Sequence, residues 1–305
     1  MQGWLPVPDP VAFTVFGLDI MWYGICVTTG IVVGFYVLYR MSPSRGLDKE
    51  HTIDIALWSI PMAMIGARLY YVIFEWARYK DDLIEIFNIR GGGLAIHGGI
   101  IGGFGTAIIL FIKWKENVWD WLDMTILGLP IGQAIGRWGN YFNSEAHGGP
   151  TDLPWAIYAD GEWVHPTFLY ESLWCFLLFL FMMWWAKHKP AKRGQLVCIY
   201  LVGYSVERFL VEGLRTDSLY IGSFRQAQVI SVVMFVAGII GLIMIKKMKN
   251  NPPLNYCKTT KNRRIMNKNP KKFLPYFILK PKENQKDNNG EVQIMKQIQA
   301  EKTES

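Results

Sequence analysis

Residues 17–39, GLDIMWYGICVTTGIVVGFYVLY, are apolar almost throughout, with Asp19 their only charged residue. An α-helix rises 1.5 Å per residue, so about 20 such residues cross the hydrocarbon core of a bilayer. Arg40, Arg45 and Lys49 follow at once. Loops enriched in Lys and Arg stay on the cytoplasmic side, which puts the start of the chain outside. The whole composition agrees: 305 residues, 51% hydrophobic and 14% aromatic, with a positive mean hydropathy, exclude an ordinary soluble domain of this size. The net charge of +7 is no sign of nucleic-acid binding. From Lys246 onward there are 15 Lys/Arg against 5 Asp/Glu, an excess of ten that leaves the rest of the chain at −3.

Working outward, a second apolar run covers about 52–76, and Leu83, Ile84, Ile86 and Phe87 in the mixed-charge segment beyond it predict a short interfacial helix. A third run opens at Gly91-Gly92-Gly93 and ends near Trp114; its Gly98, Gly99, Gly102, Gly103 and Gly105 are the small residues that let membrane helices approach backbone to backbone. A fourth starts near Trp119 and enters Gly136-Arg137-Trp138-Gly139-Asn140-Tyr141-Phe142-Asn143-Ser144-Glu145-Ala146-His147-Gly148-Gly149, where polar groups are set between glycines. His165-Pro166 begins a fifth, with Pro where a helix start tolerates it. A sixth covers about 195–214 and a seventh about 226–245. The expectation is an all-α polytopic membrane protein of about seven transmembrane helices. It has a small extracytoplasmic head near 139–165, its N-terminus outside and its C-terminus inside.

The membrane domain is expected over 1–249. Segment 250–305 reads as a basic cytoplasmic tail that buries too little surface to order itself and either lies along the anionic inner leaflet or is simply solvated. Pro6, Pro8, Asp9 and Pro10, with no basic region before the first apolar run, argue against a cleaved signal peptide. Cys26, Cys175, Cys198 and Cys257 show no Cys-x-x-Cys spacing, so neither disulfide nor metal is expected from them.

Each ionisable residue at a helix centre costs ~2.5–3.5 kcal/mol on insertion scales, so Arg68, Glu171, Glu207, Arg208 and Glu212 facing lipid would cost on the order of 15 kcal/mol. They are expected to line an enclosed cavity. With alternating helices, Arg68, Arg137, Arg208, Glu212 and Arg215 come late in outward-running spans, while Tyr23, His97, His165, Tyr170 and Glu171 come early in inward-running ones. All gather towards the outer face. Tyr204, Arg208, Glu212 and Arg215 recur at i, i+4, i+8 and i+11, one stripe of a helix, with Glu207 close to it. Arg208 and Glu212 either neutralise each other at i, i+4 or serve a ligand.

These residues carry a resemblance. Gly136-Arg137-x-Gly139-Asn140-Tyr141-x-Asn143-x-Glu145-x-x-Gly148 resembles the signature of the bacterial prolipoprotein diacylglyceryl transferases, with Tyr141 where the family usually has Phe. Trp22-Tyr23-Gly24, Gly66-Ala67-Arg68, Gly91-Gly92-Gly93-x-x-x-His97-Gly98-Gly99, His165-Pro166-Thr167-x-Leu169-Tyr170-Glu171 and the Tyr204-to-Arg215 stripe add to it, in order, over about 17–245. The resemblance implies a transmembrane catalytic domain in the bacterial cytoplasmic membrane, its active site towards the extracytoplasmic side. The implied reaction moves the diacylglyceryl group of phosphatidylglycerol to the lipobox cysteine of a preprolipoprotein, leaving a thioether and glycerol phosphate. The implied partners are that lipid, lipobox peptides and membrane lipid, with no nucleic acid.

The residue chemistry suits such a displacement. Arg137 and Arg208 are expected to hold and stabilise the departing phosphate through charge-assisted hydrogen bonds, with Arg215 and Arg68 as weaker candidates. A cysteine thiol with a pKa near 8.5 gains from a base, and His97 is best matched to that task. The alternatives are that His97 packs between glycine-rich helices, or that the arginine field favours the thiolate without a base. Asn140, Asn143 and Glu145 are expected to orient Arg137 or the lipid hydroxyls, Glu171 and Glu212 to orient arginines, and Tyr23 and Tyr204 to donate to phosphate, with Gly148 completing the substrate-binding set. His147 and His165 lack a His-Glu-x-x-His spacing, and no metal or cofactor is expected. A lipid or anion transporter, or a lipid-binding protein, would also line a cavity with arginines, but few ionisable groups occupy the inner halves of the spans. A phospholipase-like hydrolase lacks a Gly-x-Ser-x-Gly elbow.

Overall fold

The computed structural model describes residues 8–88, 92–189 and 191–248. The predicted basic tail 250–305 with Cys257, and Arg90 and Gly91 of the glycine-rich loop, lie outside the described residues. The described chain is mostly helical: α1 Trp22–Met41, α2 Lys49–Phe74, the single turn α3 Trp76–Tyr79, α4 Ile96–Lys113, α5 Val118–Phe142, α6 Thr167–His188, α7 Gln195–Glu212 and α8 Gln226–Lys247. Five of them, α1, α2, α4, α6 and α8, are long and apolar enough to cross a membrane. α5 and α7 are diluted by Asp120, Asp123 and Arg137 and by Glu207, Arg208 and Glu212, and they hold Trp121, Met124, Leu127 and Leu196 without exposure. The polar residues thus sit on helices that neighbours enclose, while α8 and α4 leave Val232, Val233, Ile240, Ile100 and Ile109 exposed.

The expectation of an all-α chain is corrected by three two-stranded antiparallel hairpins: β1 Val11–Val15 with β2 Leu18–Met21, β3 Ile157–Ala159 with β4 Glu162–Val164, and β5 Tyr220–Ile221 with β6 Phe224–Arg225. Their turns explain them. Phe16-Gly17 and Asp160-Gly161 both have positive φ at each central residue, and Gly222 has φ +59° at the first central position. These are the turn chemistries whose twist matches paired strands. α1 accordingly starts at Trp22, later than its apolar run, because residues 18–21 are used in a strand. The predicted interfacial helix is a 3₁₀ turn, Leu83–Phe87.

Contacts between helix ends fix their order. Trp22 stacks on Phe142 at 5.0 Å, Ala95 N–H donates to the Ala67 carbonyl at 3.0 Å, and Arg225 donates to the Glu212 carbonyl. The N-termini of α1, α4, α6 and α8 therefore share one end of the bundle with the C-termini of α2, α5 and α7. Two seams bring backbones together: Gly30 and Gly34 of α1 face Gly132 and Gly128 of α5, and Gly66 of α2 faces Gly98 and Gly102 of α4. A methyl at Gly98 would run into the Gly66 carbonyl, whereas one at Gly105 meets nothing within 4 Å. Gly98→Ala is therefore expected to lower stability by about 1–3 kcal/mol through overpacking, while Gly105→Ala should be neutral or slightly stabilising; thermal unfolding in detergent checks both.

At the opposite end the structure holds a cluster that corrects the expected scarcity of ionisable groups there. Arg45 Nη2 donates to Asp123 Oδ2 at 2.5 Å, Arg193 grips Asp120 at 2.7 and 2.5 Å, and Asp123 accepts from the backbone N–H groups of Gly194, Leu196 and Val197 at 2.7–3.2 Å. Asp123 thereby satisfies the orphan donors at the start of α7. Between this cluster and the other end lies a layer of fully or nearly fully buried apolar side chains, Met124, Leu127, Leu178, Met182 and Leu196.

Candidate active site

The polar residues of α5, α6 and α7 meet at the end of the bundle that also holds the N-terminus of α1. Glu171, one turn into α6 and 1% exposed, joins two helices: its Oε2 lies 2.8 Å from Arg137 Nη1 and its Oε1 accepts from Arg208 Nη1 at 3.1 Å. Arg208 Nη2 also reaches Glu212 Oε2 at 2.7 Å, four residues on. The expected Arg208–Glu212 pair is thus present, and it is part of a larger group. Both arginine side chains keep about a fifth of their surface accessible, 20% and 19%, so a ligand can reach guanidinium groups whose charge is only partly screened by carboxylates. Tyr204, one turn before Arg208, stacks on Tyr200 with 5.4 Å between rings, and Tyr200 donates to Gln133 Oε1 at 3.0 Å.

The motif 136–149 surrounds this group, and its first half is helix: α5 continues to Phe142. Tyr23 packs across Gly139, where a methyl would meet its ring at 2.9 Å. Asn143 closes the helix in αR geometry. Beyond it Ser144 and Ala146 adopt φ +52° and +58°, a conformation that costs non-glycine residues energy and clusters at functional sites. The turn is held by Glu145 N–H to the Asn140 carbonyl at 3.0 Å, Asn140 Nδ2 to Glu145 Oε1 at 2.8 Å, and Thr167 Oγ1 to the Ala146 carbonyl. Asn140 and Glu145 therefore fix each other. Tyr141, the departure from the resembled signature, stays aromatic in its packing: it is buried and stacks on Phe168 at 4.9 Å.

Gly148 is bridged to Arg215 and donates to the His165 carbonyl at 2.9 Å. A methyl there would press on His165 Cβ at 2.6 Å and the Leu214 carbonyl at 3.1 Å, which explains a glycine at this crossing. Arg215 is held by Asp217 at 2.8 and 2.6 Å. The hydrogen bond from Arg215 holds the Asp217 carboxyl below its ordinary value of 3.8. Its stabilising contribution is therefore complete above that value and is lost as pH falls through the lower, folded-state pKa. Because Asp217 is about half exposed, Asp217→Asn should cost only ~0.2–1 kcal/mol at neutral pH and nothing measurable once wild-type Asp217 is protonated. Unfolding midpoints of the two proteins across acidic pH test this.

Two expected site residues are placed elsewhere. Arg68 is corrected: its guanidinium donates to the carbonyls of Glu85, Ile86, Asn88, Gly92 and Gly93 at 2.6–3.0 Å and lies over the Tyr79 ring. All five of its N–H donors are used to hold the loop before α4, which leaves none for a phosphate. His97, in the first turn of α4, is exposed and faces the Tyr70 ring at 5.9 Å; it shares the site's end of the bundle, and among the described residues no hydrogen bond or ion pair joins it to the Arg137–Glu171–Arg208 group. Gln133 and Tyr200 were outside the expected set, as was Glu207 except as a neighbour of the stripe. Gln133 carried a signal, since it lies four residues before Arg137 on the same face of α5.

Fold and site together define a helical membrane protein with a largely buried arginine–glutamate group at one end of its bundle. Comparison with known proteins narrows this class. The family described as prolipoprotein diacylglyceryl transferase matches residues 10–244, and the chain belongs to that family. It is 49% identical over 245 residues to the phosphatidylglycerol–prolipoprotein diacylglyceryl transferase of Clostridioides difficile, covering 80% of this chain and 98% of that one. It is 48% identical over 239 residues to the enzyme of the same name from Finegoldia magna, covering 78% and 96%, and 43% identical over 262 residues to that of Synechococcus elongatus, covering 81% and 90%. Membership makes it a transferase.

Proposed function

We propose that the protein moves the diacylglyceryl group of phosphatidylglycerol onto the lipobox cysteine of a preprolipoprotein. The observation that carries this reading is the bridging of Arg137 and Arg208 by one buried carboxylate. The pair is preorganised by Glu171 and partly accessible, so a phosphate can meet the guanidinium N–H groups that Glu171 leaves free with little reorganisation. In the reaction a sulfur–carbon bond forms at the glycerol carbon and its carbon–oxygen bond to phosphorus breaks. The electron pair leaves with glycerol phosphate, and the thiol proton passes to a base. Arg137 and Arg208 stabilise the leaving charge, Glu171 and Glu212 orient them, and the Asn140–Glu145 turn, Asn143, Gly148, Tyr23, Tyr204 and Arg215 shape the lipid site.

In this proposal seven helices span the bacterial cytoplasmic membrane, with α5 and α7 completing the five apolar ones, and the site lies on the extracytoplasmic side. Residues 1–249 form the catalytic domain, and 250–305 form a basic cytoplasmic tail. The buried apolar layer between the two polar ends supports a one-sided site over a transport path. Purified protein given phosphatidylglycerol and a lipobox peptide should add a diacylglyceryl mass to the peptide and release glycerol phosphate. A Cys→Ser peptide should gain nothing; flux across vesicles without transfer would overturn the reading.

His97 takes the thiol proton in this scheme. His97→Gln should lower the rate about 10²-fold, and the residual rate should rise with pH towards the thiol pKa near 8.5 as the peptide supplies its own thiolate. A wild-type rate and pH profile would return His97 to a packing role against Tyr70.

A further inference from the structure

Glu207 is a buried acidic side chain of the site to which the scheme gives no role. It is 2% exposed; its carboxyl lies against that of Glu171, and among the described residues no N–H or hydroxyl group donates to either of its oxygens. Its charged neighbours are Glu171, Arg137 and Arg208, so it points into the same group. It is not needed to balance that group, because the two guanidiniums already have Glu171 and Glu212. Two buried carboxyls set side by side without a donor between them are costly, and a hydroxyl that donates to Glu207 would relieve that cost.

The partner's chemistry follows from position. A phosphate diester on Arg137 and Arg208 carries its alcohol head group within a few ångströms of the phosphorus, and a carboxyl group accepts hydrogen bonds from hydroxyls on two oxygens. We infer that Glu207 receives the head-group hydroxyls of the lipid and thereby selects a polyhydroxy head group, an inference that rests on the proposed transfer reaction. A head-group ammonium would also meet a carboxyl, but here it would lie beside two guanidiniums, where like charges repel.

The test compares phosphatidylglycerol with phosphatidylpropanol of the same acyl chains, which keeps the phosphodiester and removes both head-group hydroxyls. Wild-type kcat/KM with a lipobox peptide should favour phosphatidylglycerol by about tenfold, as for one or two hydrogen bonds. Glu207→Leu should bring that ratio close to one, while Glu207→Gln, which keeps an accepting oxygen and the shape, should retain most of it. Equal use of the two lipids by wild type, or an undiminished preference in Glu207→Leu, would overturn the inference. The same lipid pair is compared for binding by thermal shift. If wild type transfers nothing, the binding preference still decides the role of Glu207 while the reaction itself falls.

Discussion

Arg208→Ala is expected to lower diacylglyceryl transfer by about 10³-fold or more, with the protein still inserted and folded, since deleting one preorganised donor from a developing negative charge costs about 10²–10³ and this side chain supplies several. The geometry argues for the upper end. Arg208 is the residue that touches both Glu171 and Glu212, so its loss removes a phosphate ligand and also frees two buried carboxylates. Glu171 would then lean on Arg137 alone, whose Nη1 it already holds at 2.8 Å, and that arginine would be withdrawn from the substrate. Arg208→Lys should recover little. An ammonium is a point donor and cannot span two carboxylates, or a carboxylate and a phosphate, as a planar fork does. Arg137→Ala should be of similar severity. Peptide mass and glycerol phosphate release measure both, and near-normal turnover in either variant would remove that arginine from the mechanism.

What the sequence disclosed follows the range of the interactions concerned. The apolar runs were legible because each is contiguous, and five of the seven helices meet the length and hydropathy of a span by themselves. Residues 204–215 were legible because a stripe on one helix needs only its own spacing, and Arg208–Glu212 is such a pair. Glu171 was expected to orient arginines, but that it bridges Arg137 and Arg208 from 34 and 37 positions away needed the packing of three helices. Arg68 misled because a cation within an apolar run resembles a ligand-binding one, while its actual partners are backbone carbonyls of residues 85–93, which no side-chain pattern announces. The hairpin at Asp160-Gly161 did carry a readable turn dipeptide, hidden in a stretch read only as an external head. Glu207 had a local signal, a second carboxyl beside Arg208. A carboxyl's lack of a donor becomes visible only once its neighbours are in place.

The largest effect on stability is expected at the end away from the chemistry, from Asp123→Ala. Asp123 is wholly buried and does two things at once: it accepts from Arg45 at 2.5 Å and from three backbone N–H groups at the entry to α7. Removing it leaves a buried guanidinium short of its main partner and an uncapped helix start. Breaking a buried pair from one side costs about 3–5 kcal/mol, and the lost cap adds ~1 kcal/mol. Asp120, already shared by Arg193 at 2.5 Å and Arg45 at 3.5 Å, cannot absorb the second arginine without releasing the first. Asp123→Asn, which keeps an accepting oxygen but no charge, should fall between the two proteins in unfolding midpoint. Because α7 also carries Tyr204, Glu207, Arg208 and Glu212 at its far end, a helix that frays at Gly194–Val197 has more freedom to shift along its axis. The variant should therefore lose activity at temperatures below its own unfolding midpoint. A thermal melt in detergent beside a transfer assay across the same temperatures separates these outcomes: coincident curves would mean that the cluster only holds the fold, and an unchanged midpoint would mean that Arg45 finds another partner.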